Sequence, residues 1–91
     1  MLPRYKGDAY YKQFVGRCFK MDMPEGSCWC VKIIDFQDKT FIVEECSGCL
    51  GSGIVRKSTR TYCFVDQDNY KEISNREYGA AHFLITGKWE D

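Results

Sequence analysis

The stretch that most constrains this chain is Cys46-Ser47-Gly48-Cys49-Leu50-Gly51-Ser52-Gly53. Two thiols three positions apart are spaced to grip one zinc ion, and the glycines between and after them let the backbone fold tightly around the sulfurs. Upstream, Ser27 to Phe36 (Ser-Cys-Trp-Cys-Val-Lys-Ile-Ile-Asp-Phe) is rich in β-branched and aromatic residues and reads as a strand carrying Cys28 and Cys30. After the polar Gln37-Asp38-Lys39, Thr40 to Glu45 (Thr-Phe-Ile-Val-Glu-Glu) returns, so the two segments should form a hairpin.

The register of that hairpin decides where the thiols fall. With residues 37–39 as the loop, Phe36 faces Thr40, Cys30 falls opposite Cys46 and Cys28 opposite Gly48. A two-residue loop at 38–39 shifts the pairing by one and sets Cys28 opposite Cys49. Directly opposed Cβ atoms lie roughly 5 Å apart, and strand alternation puts Cys28 and Cys30 on one face. In either register Cys28, Cys30, Cys46 and Cys49 approach one point, and a zinc ion (Zn2+) held by these four thiolates is the expectation.

Cys18 and Cys63 lie in predicted strands and read as core thiols, although either of them, or the single histidine His82, is an alternative ligand. Six cysteines also allow fifteen disulfide connectivities. The N-terminus, Met1-Leu2-Pro3-Arg4-Tyr5-Lys6-Gly7-Asp8, lacks the apolar core and cleavage site of a secretory signal, and a reducing, cytoplasmic compartment is expected. Cysteines there serve more often as metal ligands or free thiols than as disulfides. A redox dithiol at Cys46 and Cys49 needs a helix starting at the first cysteine, and Gly48, Gly51 and Gly53 are poor helix material.

The rest of the chain reads as one β-rich domain. Asp8 caps a short helix over Ala9 to Val15, and Gly16 ends it. Arg17 to Met21 alternates as a strand, and Pro24 and Gly26 mark a turn. Ile54 to Lys57 leaves the glycine stretch as a strand, and Thr59 to Val65 continues or pairs with it beyond a bend at Ser58. Asp66 to Asn69 forms a polar turn. Ser74-Asn75-Arg76-Glu77 has the capping-box pattern and announces a helix with Tyr78, Ala81, His82 and Ile85 on one stripe and Leu84 beside it. Gly87 supplies the stop, and Trp89 folds back as a plug. The expected fold is a mainly β (α+β) single domain, residues 1–91: a small antiparallel sheet or SH3-like half-barrel of four or five strands, with a zinc knuckle and a C-terminal helix.

Composition removes several function classes. Thirteen basic side chains balance thirteen acidic ones, so no global field pulls the chain onto nucleic acid or membrane, and no apolar run is long enough to span a bilayer. Glu44, Glu45, Asp66, Asp68 and Glu72 follow no acid–base pattern, and Gly51-x-Gly53 lacks the third glycine and the Gly-Lys-Ser/Thr of a phosphate loop. No catalytic site is expected. The best contact surface is Arg56-Lys57-Ser58-Thr59-Arg60-Thr61-Tyr62, where Arg56, Lys57, Arg60 and Tyr62 would hold phosphates and stack bases. The competing reading is an edge strand whose charges discourage aggregation.

Cys46-Ser47-Gly48-Cys49-Leu50-Gly51-Ser52-Gly53 resembles one unit of the cysteine-rich zinc region of DnaJ-type co-chaperones, Cys-x-x-Cys-x-Gly-x-Gly. The resemblance implies that Cys46 and Cys49 form half of a zinc site; it covers eight residues, and no His-Pro-Asp of a J-domain is present. Gly16-Arg17-Cys18-Phe19-Lys20 and Tyr70-Lys71-Glu72-Ile73-Ser74 are faintly similar to small proteins of tailed phages, which act by binding a host macromolecule. The resulting expectation is a non-catalytic zinc module that binds a protein partner as a phage-type inhibitor or adaptor, in the host cytoplasm if phage-encoded. The alternatives are a nucleic-acid-binding zinc module and a thiol redox protein.

Overall fold

The computed structural model describes residues 4–67 and 69–87. The first three residues of the leader, Asp68 in the 66–69 turn and the Trp89 plug lie outside the described residues. The chain runs α1 (Asp8–Lys12), β1 (Cys18–Met21), β2 (Ser27–Gln37), β3 (Thr40–Cys49), β4 (Ile54–Thr61), a 3-10 turn (Tyr62–Asp66), β5 (Tyr70–Ile73) and α2 (Asn75–Thr86). The strands form one antiparallel sheet in the order β4-β3-β2-β1-β5, so the fold is mainly β with a C-terminal helix. Of the two expected architectures, the sheet with two edges is the one observed. Among the described residues no helix is long and apolar enough to cross a membrane.

Strand alternation sorts the sheet into two faces. On one face Phe19, Val31, Ile33, Phe36, Phe41 and Val43 meet Tyr11 of α1 and Phe64 of the 3-10 turn, all buried. Tyr11 sits centrally there, with its ring centroid 5.3 Å from Phe36 and 6.1 Å from Phe41. The other face presents Cys18, Cys30, Cys46 and Ile73 to Tyr78 and Ile85 of α2. The aromatic face around Tyr11 holds down α1, whose five residues are far too few for a helix stable on its own. Gly7 precedes α1, and Asp8 lies in its first turn instead of capping it.

The β2–β3 hairpin carries two local devices. Asp38 and Lys39 both take positive φ (52° and 59°), the geometry of a two-residue type I′ turn whose twist matches the strands. Gln37 therefore faces Thr40, one residue off the pairing that puts Cys30 opposite Cys46. A bulge restores it: Ile34 is an extra residue between the Ile33–Val43 and Asp35–Ile42 pairs. Beyond the bulge Cys30 stands opposite Cys46 and Cys28 opposite Gly48.

Three further differences from the sequence expectation have one cause, pairing across the sheet. β3 continues through the glycine stretch to Cys49 because Ser27–Trp29 on one side and Ile54–Val55 on the other pair with it. β4 runs unbroken through Ser58, which stands opposite Val43. Tyr70–Ile73 becomes an edge strand because it lines up against Cys18–Met21. At α2 the N-cap is as expected: the Ser74 hydroxyl accepts from the Glu77 N–H at 3.0 Å, and Gly87 ends the helix in the left-handed conformation (φ 78°).

Candidate functional site

The β2–β3 register gathers thiols on the face beneath α2. Cys28 and Cys30, two apart on β2, have their sulfurs 3.4 Å apart. Cys46 stands directly opposite Cys30 and is fully buried. Cys18 lies on the same face, one strand over, opposite Lys32, and its thiol donates to Asn75 Oδ1 at 3.1 Å. Cys49 is exposed at the end of β3, opposite Ser27. The structure thus brings three of the four expected ligands, Cys28, Cys30 and Cys46, to one cluster and leaves Cys49 exposed at the strand end. Among the described residues, no three His, Cys, Asp or Glu side chains converge closely enough to hold a metal ion as they stand.

Burial pushes the Cys30 thiol far up, and Cys28, as hydrogen-bond partner and neighbouring sulfur, adds to the shift. A thiol so disposed stays protonated at neutral pH and is a poor nucleophile. Metal ligation at the sulfurs would reverse that balance, since it deprotonates thiols outright. Cys63 is buried in the 3-10 turn, 2.9 Å from Thr61 Oγ1. His82 Nδ1 lies 3.3 Å from Thr86 Oγ1 within α2.

The glycines serve packing. Ser52 N–H donates to the Cys49 carbonyl at 3.1 Å and closes the tip between β3 and β4. Gly51 and Gly53 donate their N–H groups to the Leu84 and Ile85 carbonyls of α2, at 3.0 and 3.1 Å. Two of the carbonyls left open at a helix C-terminus are satisfied in this way. The same docking places Leu50 and Ile54 at the end of the molecule that carries Phe83 and Leu84, all four exposed.

The basic segment does not form one surface. Arg56 and Arg60 fall on the aromatic face, where both engage Glu45: Arg60 Nη2 donates to Oε1 at 2.7 Å, and Arg56 Nε lies 3.6 Å from Oε2. Trp29 Nε1 donates to the same Oε1 at 3.1 Å, with the Arg60 guanidinium 5.9 Å from the Trp29 ring centroid. Lys57 falls on the opposite face, across from Glu44, whose Oε1 accepts from the Tyr78 hydroxyl at 3.0 Å. Tyr62 packs inward on Tyr5 and Tyr11, with centroids 5.2 and 5.5 Å away. These positions place the arginines in a structural ion cluster and the tyrosine, half-buried, against the core.

Glu45, one of the acids that follow no acid–base pattern in the sequence, is buried in the structure. It is 2 % exposed, and among the described residues its Oε2 has no hydrogen-bond partner, only the Arg56 guanidinium 3.6 Å away. Burial raises its carboxyl pKa, but hydrogen bonds from Trp29 and Ser58 and the charges of Arg60 and Arg56 outweigh that and hold it below the usual value. A signal was present: Glu45 shares the phase of Phe41 and Val43, so an acid sat on the apolar side of a strand.

The fold and these two clusters define a small antiparallel-sheet domain, covered by a helix on one face and by aromatic side chains on the other. Comparison with protein-family models, curated proteins and solved structures finds no match.

Proposed function

We propose that this chain is a non-catalytic zinc-binding module that binds a protein partner, in the manner of a phage-type inhibitor or adaptor. The observation that carries the reading is the thiol patch: Cys28 and Cys30 sulfurs 3.4 Å apart, with Cys46 opposite Cys30. Zinc would take these three as thiolates, offsetting the cost of burying them. Cys49 completes the set if the exposed end of β3 turns at Gly48, whose φ of 127° already departs from strand geometry. Partner binding is supported by the exposed Leu50, Ile54, Phe83 and Leu84 at one end of the molecule.

The test is native mass spectrometry of protein purified without added metal, followed by chelator titration with a thermal melt. One zinc per chain, lost together with stability, supports the module, and Cys46→Ser should abolish binding while Cys63→Ser keeps it. A metal-free mass with every thiol free sinks the zinc reading. A mass two hydrogens lighter per cysteine pair would replace it with disulfides.

A further inference from the structure

We infer that the outer edge of β4 is a docking edge for an extended, carboxylate-bearing segment of a partner protein, which adds to the sheet as a further strand. The inference rests on the proposed reading only in taking the occupant to be a protein, and it is independent of zinc.

β4 is a sheet edge eight residues long, paired with β3 from Thr61 opposite Thr40 to Ile54 opposite Ser47. Among the described residues no strand pairs with its other side. In an antiparallel ladder alternate residues turn their N–H and C=O groups away from the neighbour, so the outer side of β4 offers a row of such groups over roughly 26 Å. Strand addition uses that kind of row for affinity and the flanking side chains for specificity.

Charge selects the occupant. Ile54–Thr61 carries Arg56, Lys57 and Arg60 and no acid. Glu45 holds Arg56 and Arg60 together on one face, and one carboxylate shared by two guanidiniums leaves that cluster net positive. The Arg56 side chain is still 64 % exposed. Lys57 puts a cation on the other face of the same edge. An incoming strand with acids on either face therefore meets a cation beside it, whereas a second copy of β4 would set like charges together. The opposite edge, β5, has only four residues, and its Glu72 is already bound by Arg17 at 2.8 and 3.0 Å.

The experiment titrates the isotope-labelled full chain with a synthetic eight-residue peptide that alternates glutamate with valine and threonine. Two controls replace every glutamate by glutamine or N-methylate alternate peptide amides. Binding should shift and protect the amides of residues 54–61, weaken about tenfold with the glutamine peptide or with Lys57→Glu, and vanish with the N-methylated one. The proposal is overturned by no binding, by equal binding of all three peptides, or by self-association of the chain through residues 54–61. Shifts centred instead on Leu50 and Leu84 overturn β4 as the edge and leave partner binding standing. Metal content recorded on the same sample shows separately whether the zinc reading fails.

Discussion

The N–H of Gly53 donates to the carbonyl of Ile85 at 3.1 Å, and a Cβ on Gly53 would stand 1.9 Å from Ile85 Cγ2. Ile85 is fully buried, and the Ser47 carbonyl oxygen lies 2.7 Å from the same point, so neither neighbour can give way cheaply. Gly53→Ala should therefore cost about 2–3 kcal/mol of stability. Gly51→Ala meets no atom within 4 Å but keeps φ at 80°, and the backbone alone should cost about 1 kcal/mol. Gly79→Ala, with open space and helical backbone, should add roughly 0.5–1 kcal/mol. Urea denaturation of the three variants checks both the sizes and the change of sign.

Glu45 gives stability a defined pH dependence. Its carboxyl is held below the ordinary 4.5, so the folded state prefers the charged form. That contribution is fully present above about pH 4.5 and is lost as pH falls through the folded-state value, because protonation frees the arginines from their partner. Glu45→Gln should lower stability at neutral pH by about 1–3 kcal/mol and flatten the acid limb of the curve. Denaturation midpoints collected from acid to neutral pH for both proteins decide it; parallel curves would reject the assignment.

Thiol reactivity should follow burial. Cys49 is the exposed thiol, Cys28 is half-buried, and Cys18, Cys30, Cys46 and Cys63 are buried. In the metal-free native protein a maleimide should modify Cys49 first and Cys28 next, with the buried four reacting only as the chain unfolds. Peptide mapping against labelling time gives the order directly, and early modification of Cys30 would contradict it.

Tyr11 fastens α1 to the sheet. It is fully buried, stacks on Phe36 and Tyr5, and its hydroxyl accepts from the Lys6 N–H at 3.3 Å. Tyr11→Ala should cost about 3–5 kcal/mol, whereas Tyr11→Phe should cost about 1 kcal/mol. Thermal melts of the two variants separate the ring's packing from its hydroxyl.

The sequence by itself determined the parts of this protein whose causes are local. The N-cap at Ser74, the stop at Gly87 and the β-rich hairpin around Asp38 and Lys39 each follow from residues a few positions apart. Pairing of Cys30 with Cys46 was legible only as one of two registers, because a two-residue turn and a bulge at Ile34 offset each other, and neither is written in the apolar pattern. Tertiary structure decided the rest. A glycine-rich run that favours a tight knuckle when taken alone is drawn out as strand by its two neighbours, and it is docked on α2 through Gly51 and Gly53. That extension leaves Cys49 exposed at the end of β3, opposite Ser27, while Cys46 is buried. Glu45 and its arginines likewise meet only because β3 and β4 lie side by side. Hydrogen bonds between strands distant in sequence bind every residue of a ladder at once, and that collective pairing overrides what a short stretch prefers alone.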